Sequence, residues 1–429
     1  MKKYLTWGLK CMAAVLAAAI TGTLLLCIAF LLPTEGMKAN LKYSAYAIAE
    51  KNGTSGELLY GDPTSFAGAF TDELMIQSAV YTGDHGTLDS AMGIYRTEAD
   101  PENWNPAKAL LSYLAGIPEK TEVSYARYWH GYLVFLKPLL MIFSVEEIKL
   151  FQLFLMGALW LLVILGMEKK GLRPQLPGFF AAFFCMMPAA MVFSLSLAGC
   201  GILMLGAMLM LLYLPADPEK EENVLAVFLV TGILTAYTDL LTYPLVTLGM
   251  PLILALLLRE QSKVKTKNCR FFFSAVLTWG FGYGAMWAMK WVLGSLILKR
   301  NVLADAAGTV AQRTSAGDGG NRFALFCEAV YRNLYAWKAM PYLLLAAGLA
   351  VIWVLMCIRF RKENRKRMGM MPMYLCTAIL PLAWIFVVTN HSYEHRTFTF
   401  RILAISIWAL WAILCPAGPG EDFQKEERS

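Results

Sequence analysis

The chain has 429 residues, 58% of them apolar and only 16% charged, with 38 lysines and arginines against 31 acids. Long apolar runs such as residues 11–32 and 224–234 exclude an ordinary soluble domain and mark a polytopic membrane protein. The basic excess is too small for a nucleic-acid partner and falls in short clusters between apolar runs, where it reports topology. Nine cysteines, most of them inside apolar runs, imply no disulfide framework.

At the N-terminus, Lys2-Lys3 precedes an apolar run of about 20 residues that ends without an Ala-x-Ala site, so residues 1–32 are expected to form a signal-anchor span. Three further basic clusters follow: Lys169-Lys170 with Arg173, residues 259–270 and residues 359–367. If all are cytoplasmic, an even number of spans separates each from the next. Between Lys3 and Lys169 lie three apolar candidates, at 8–32, 129–144 and 147–167, so only two of them can cross.

The segment at 125–140, YARYWHGYLVFLKPLL, holds the shortest of these candidates, with Lys137-Pro138 at its middle. A charge and a missing backbone donor are both costly in lipid. It is therefore expected to be an interfacial or re-entrant helix. At 100° per residue, Arg127, His130 and Lys137 fall within roughly 80° of one another. Tyr128, Trp129, Tyr132, Phe135, Leu136 and Leu139 lie opposite, an aromatic side suited to headgroup depth beside a cationic side suited to lipid phosphate.

Further spans are expected near 176–193, 198–214, 224–238, 243–258, 271–293, 341–358, 371–389 and 400–415. The expected fold is thus an all-α polytopic plasma-membrane protein of about ten transmembrane helices with both termini cytoplasmic. Its parts are the anchor (1–32), a large external loop with short and membrane-parallel helices (33–146), spans two to seven (147–293), a second external loop (294–340), spans eight to ten (341–415) and a tail (416–429).

All four histidines, His85, His130, His391 and His395, fall on the expected outer side, where external chemistry needs titratable groups. In the first loop, FTDELMIQSAVY sets Asp72 and Glu73 just ahead of a helical apolar pattern. Thr71 is a good N-cap there, and acids in a first turn complement the helix dipole, a role compatible with catalysis. Adjacent helical residues point about 100° apart, so at most one of the two faces a given reacting atom.

Asp239, in TAYTDLLTYPL, is a turn former beside two tyrosines and a threonine, and it can accept bonds from sugar hydroxyls. Lys290, in WAMKWVL, is expected to snorkel to the outer edge of its span. The glycine-rich RTSAGDGGNRF has no P-loop spacing. In the turn NHSYEHRTFTFR, His391 and His395 have a spacing that could grip zinc, but Ser392 stands where the zincin pattern needs glutamate. With Arg396 and Arg401, His395 is expected to form a cationic patch at the outer surface. No ligand cluster requires a metal cofactor, although a divalent ion is compatible with the chemistry.

A signal anchor, an acidic pair in a first large external loop, membrane-parallel helices and around ten short-looped spans resemble the GT-C class of polytopic glycosyltransferases. These enzymes take a sugar from a polyprenyl-phosphate carrier on the outer face of the membrane. ARYWHGYLVFLKPLL, YTDLLTYPLVTLGMPL and NHSYEHRTFTFR also look like segments of bacterial members, and the likeness covers essentially the whole chain. The resemblance implies an inverting transfer to an acceptor hydroxyl, with Asp72 at the base position and Glu73 in reserve. Arg127, His130 and Lys137 are then expected on the carrier phosphate, assisted by His395 and Arg396 if the outer turn folds over the site, with His391 and Asp239 as further substrate-binding candidates. The implied partners are a polyprenyl-phosphate-linked sugar, membrane lipid, and a glycan, lipid or protein acceptor. A sugar on phosphate already has a good leaving group, so the transfer needs a base and cations more than a strong acid. The alternative classes are a multi-pass transporter or flippase of lipid-linked glycans, and a glycan ligase or polymerase; no inverted repeat marks the first.

Overall fold

The computed structural model describes residues 2–50, 69–98, 106–117, 121–213, 221–262, 268–316, 320–338, 348 and 369–418. The expected span at 341–358 and the third basic cluster lie outside them. The described chain is almost wholly helical. Its first part comprises α1 (Lys2–Phe30), α2 (Glu35–Glu50), α3 (Ala69–Val80), α4 (Thr87–Gly93), α5 (Pro106–Leu114), α6 (Leu133–Leu140) and α7 (Val145–Lys169). Then come α8 (Leu176–Cys185), α9 (Pro188–Val192), α10 (Leu195–Tyr213), α11 (Glu221–Thr238), α12 (Val246–Gln261) and α13 (Asn268–Leu298). The rest comprises α14 (Val302–Thr314), α15 (Arg322–Tyr335), α16 (Met371–Val387), α17 (Thr389–Glu394), α18 (Arg396–Thr399) and α19 (Ala404–Leu414). The exception to all-α is a hairpin of β1 (Tyr95–Glu98) and β2 (Thr121–Ser124), antiparallel with Tyr95 opposite Ser124.

Among the described residues, four stretches are long and apolar enough to cross a membrane: Leu5–Phe30, Val145–Lys169, Leu195–Tyr213 and Arg396–Leu414. The expected span at 176–193 is instead broken into α8 and α9. Met187 takes φ 56° and Pro188 opens α9 at its first position, where a missing N–H costs nothing.

The long helices run between two ends of the molecule. At one end Gln261 donates to the Lys170 carbonyl at 3.0 Å, Gln175 donates to the Cys415 carbonyl at 2.6 Å, and Lys10 pairs with Glu222 at 3.3 Å. The basic residues that close α7 and α12 and open α13 therefore share this end. The other end is where the first loop docks. Two fully buried lysines hold it: Lys137 donates to the Ala79 carbonyl at 2.6 Å, and Lys290 to the Met92 carbonyl at 2.9 Å. Both carbonyls belong to last turns, of α3 and α4, where helix acceptors lack intrahelical partners and cations complement the dipole. Lys290 thus does not snorkel to the surface.

α11 and α13 pack backbone to backbone. A Cβ at Gly232 would stand 2.4 Å from the Trp279 carbonyl oxygen, and one at Gly282 2.6 Å from that of Leu229. Small residues that let backbones approach are a recurrent solution for helix pairs in membranes.

The amphipathic helix expected to carry Arg127, His130 and Lys137 does not form as one piece. Only Leu133–Leu140 is helical, while His130 takes φ 56°. The Gly131 N–H donates to the Tyr237 carbonyl at 2.7 Å, and the Tyr237 ring lies 2.2 Å from where a Gly131 Cβ would be. This tertiary contact takes the backbone out of the helix, so the three side chains share no face. Arg127 is partly exposed, whereas His130 and Lys137 are buried.

Candidate functional site

At the loop end, α13, α14 and α16 meet the segment around Arg127 and enclose a cavity of about 220 Å³. Its wall on α13 is set by spacing. Tyr283, Trp287 and Trp291 recur at i, i+4 and i+8, which places them on one helix face. Trp279 extends the ladder by a turn, stacked on Tyr283 with centroids 4.9 Å apart. Tyr128 meets Trp287 edge to face at 5.0 Å, and Trp384 of α16 closes on Tyr283 at 6.2 Å. On α14 the face Ala306, Thr309, Val310 and Arg313 follows the same helical period.

Two guanidinium groups line this aromatic cavity. Arg127 lies over the Tyr125 ring at 4.7 Å and stands 3.5 Å from both carboxylate oxygens of Asp305. Arg313 donates to Nδ1 of His391, whose Nε2 donates to the Leu241 carbonyl at 2.8 Å. That pattern requires a neutral imidazole. Burial, reinforced by Arg313 and His395, holds His391 well below the usual histidine range. Two cavity-lining donors, Arg127 Nε and the Tyr283 hydroxyl, find no hydrogen-bond acceptor among the described residues, while Trp287 Nε1 is directed at the Tyr283 oxygen.

Behind the cavity wall, Leu241 takes φ 66° in the turn that follows α11. Asp239 fixes this turn by accepting the Thr242 N–H at 3.0 Å together with the Thr242 hydroxyl. Burial pushes the Asp239 carboxyl up to about 6, the Thr242 bonds opposing the shift. The His395 ring lies 4.6 Å from that of His391 and stacks on Phe398; burial, then Arg313, lowers it to about 4. Arg396 points to the surface. Both nitrogens of His391 are engaged, so the histidine pair is not arranged to grip a metal, and the described residues contain no group of three or more metal-ligating side chains.

Of the sequence-derived candidates, Arg127, Asp239, His391 and His395 therefore gather at or just behind this cavity. The others do not. His130 is buried, with Nε2 donating to the Tyr125 carbonyl at 3.0 Å and Nδ1 accepting from Tyr132 at 2.9 Å; burial, then Lys290, lowers its proton affinity. Lys137 serves α3.

Asp72 lies in the first turn of α3, which begins at Ala69, so Thr71 sits inside the helix and does not cap it. Its carboxylate accepts the Ser194 hydroxyl and the Leu195 and Ser196 N–H groups, each at 2.9 Å, with Lys149 at 3.7 Å. These are the first donors of α10, which an anion satisfies. Glu73, beside it, is wholly buried. His85 lies elsewhere, stacked on Tyr95 and paired with Glu122 at 2.7 Å.

Sequence reasoning missed Arg313 and the aromatic ladder. The i+4 recurrence in WGFGYGAMWAMKW was the available signal, but an aromatic stripe more often packs a core than lines a site. Comparison of the chain with protein-family models, curated proteins and solved structures finds no match.

Proposed function

We propose that the protein is a membrane glycosyltransferase of about ten spans that moves a sugar from a polyprenyl-phosphate carrier to an acceptor hydroxyl, with its basic end cytoplasmic and its loop end outside. The observation that carries this reading is the aromatic cavity whose lining leaves Arg127 Nε and the Tyr283 hydroxyl without an acceptor among the described residues, with a second arginine, Arg313, in the same wall. Buried donors call for a ligand rich in acceptor oxygens, and guanidinium groups for one that is anionic. A sugar on a lipid phosphate supplies both.

In this reading the sugar lies against Tyr283 and Trp287. The acceptor oxygen bonds to the anomeric carbon as the sugar–phosphate bond breaks. Arg127 and Arg313 meet the charge on the departing phosphate, and Asp239 takes the hydroxyl proton. The resemblance assigns the base to Asp72, with Glu73 in reserve. Asp72 lies outside the cavity lining, whereas Asp239 sits two residues before the cavity-lining Leu241; together with its bonds to the α10 terminus and Lys149, that favours Asp72 as an anchor.

The test is transfer of radiolabel from a panel of polyprenyl-phosphate sugars into membranes containing the full-length protein. Arg313→Ala is expected to lower transfer by about 10²-fold, as loss of one charge-stabilising group does. Asp239→Asn should lower it by about 10²- to 10⁴-fold, the usual contribution of a general base. Asp72→Asn should reduce the amount of folded protein. If Asp72→Asn instead stops transfer while leaving folded protein unchanged, the base returns to Asp72; if no sugar moves to any acceptor offered, the transferase reading fails.

The break between α8 and α9 favours a second reading, a flippase of lipid-linked glycans, since interrupted helices recur in transporters. Its mark is movement of a labelled lipid-linked glycan across a proteoliposome bilayer with no sugar transferred.

A further inference from the structure

A cluster of titratable side chains lies outside the cavity, on the docked loop. It joins the segment 81–86 after α3, the start of α4, and the hairpin, with His85 at its centre. Nε2 of His85 stands 2.7 Å from Oε1 of Glu122 on β2, and Nδ1 stands 3.3 Å from Oδ2 of Asp89 on α4. Tyr95 of β1 stacks on the ring at 3.8 Å. The chain folds closely around this group: a Cβ at Gly83 would stand 2.6 Å from Glu122 and 3.0 Å from His85.

The far oxygen of each carboxylate is already taken by a phenol. Tyr81 donates to Oε2 of Glu122 at 2.5 Å, and Tyr95 donates to Oδ1 of Asp89 at 3.0 Å. Burial, then the bonded carboxylate, pushes both phenols up, Tyr95 to about 12, so both stay donors across the range of about pH 5 to 8 in which histidines change charge. A neutral imidazole has one N–H and one lone pair, so it serves one carboxylate and turns the lone pair toward the other. Only the imidazolium, with two N–H groups, satisfies both. The remaining charges around the cluster are Asp84, next to His85, and Arg300, which follows α13 and donates to Ser124 of β2.

We propose that His85 is a proton-operated clasp that closes the hairpin onto α4 when protonated and releases it when neutral. Loss of the proton breaks one of the two bridges and sets a lone pair against a carboxylate. The stabilisation is therefore present at low pH and lost as pH rises. The strand held in this way leads to the cavity. Just past β2, the Tyr125 N–H donates to the Ile94 carbonyl at 3.0 Å, and the Tyr125 ring underlies Arg127 at 4.7 Å. Release of β2 loosens the segment that carries Arg127 into the cavity wall, whatever ligand that cavity takes. The His85 side chain is 23% exposed, so protons reach it without unfolding.

The experiment is hydrogen exchange of the full-length protein in detergent, read by mass spectrometry on the peptide covering β2 and expressed as protection relative to the intrinsic rate at each pH. Protection is expected to be about threefold higher at pH 5.5 than at pH 8, the scale of one partly exposed ion pair. The buried His130 and His391 destabilise the fold on acidification, the opposite sign, and cannot mimic this result. The pH series needs no variant, and equal protection at the two pH values overturns the proposal. His85→Gln should bring the ratio to about one, and Glu122→Gln, tested separately, should reduce it. A ratio unchanged in either variant also overturns it.

Discussion

At the scale of single residues, two buried histidines, one behind the aromatic cavity and one in the docked loop, are held by partners that specify one protonation state. His391 receives Arg313 on one nitrogen and gives its proton to Leu241, and His130 is pinned between Tyr132 and Tyr125 in the same manner. Both are depressed in the folded protein. The unfolded chain therefore binds protons below about pH 6.5 that the fold refuses, and stability falls on acidification through that value. Each such histidine contributes a slope of at most about 1.4 kcal/mol per pH unit. Asp239 works the other way. Its raised carboxyl binds a proton in the fold before it does in the unfolded chain, which offsets part of the loss below about 6. Thermal unfolding in detergent should thus show a lower Tm at pH 6 than at pH 7, and His391→Gln, which can keep a donor and an acceptor, should flatten that dependence. An unchanged slope in the variant means that His391 is not held neutral.

At the scale of elements, helix ends and helix contacts decide the geometry of the site. Lys137 and Lys290 tie the last turns of α3 and α4 to the bundle, and Asp72 receives the first turn of α10. Together these carry the loop that delivers Arg127 and Tyr128 to the cavity. The α13 wall is fixed by its contact with α11. Gly232→Ala puts a methyl group 2.4 Å from a carbonyl oxygen, so the helices must separate. The expected cost is about 1–3 kcal/mol, as for other overpacked sites, seen as a lower Tm in detergent. Gly280 on the partner helix α13 has nothing within 4 Å of its added Cβ, and Gly280→Ala is the control that should leave Tm nearly unchanged. Equal effects at the two positions would show that helix propensity, not contact, sets the response.

At the scale of the whole molecule, two native cysteines report orientation. Cys269 is exposed next to Arg270 at the basic end, and Cys327 is exposed on α15, whose Arg322 reaches the Phe386 carbonyl at the loop end. Basic clusters stay cytoplasmic, so a membrane-impermeant maleimide added to intact cells should label Cys327 and spare Cys269 until the membrane is permeabilised. The reverse pattern would place the aromatic cavity in the cytoplasm and remove the outward-facing transferase. α15 also turns Phe323 and Tyr331 outward at 66% and 57% exposure, apolar surface suited to headgroup depth.

Membrane character and the grouping of basic residues at one end were legible because they are sums over local composition. An apolar stretch of about 20 residues needs no particular partner, and a lysine cluster acts through its charge alone. The break at Met187-Pro188 also had a local signal, Pro188, but the expected span at 176–193 ran through it. What Arg127, His130, Lys137 and Asp72 do was not legible, because their partners are distant in the chain. Lys137 bonds 58 residues back, Asp72 accepts from residues 122 to 124 positions ahead, and Arg127 meets Asp305 178 positions on. A helical wheel assigns such side chains to a face, but only tertiary packing decides whether that face meets lipid, water or a helix end. Here the Tyr237 ring against Gly131 made that decision, turning an expected cationic stripe into one cavity-lining arginine and two buried cross-links.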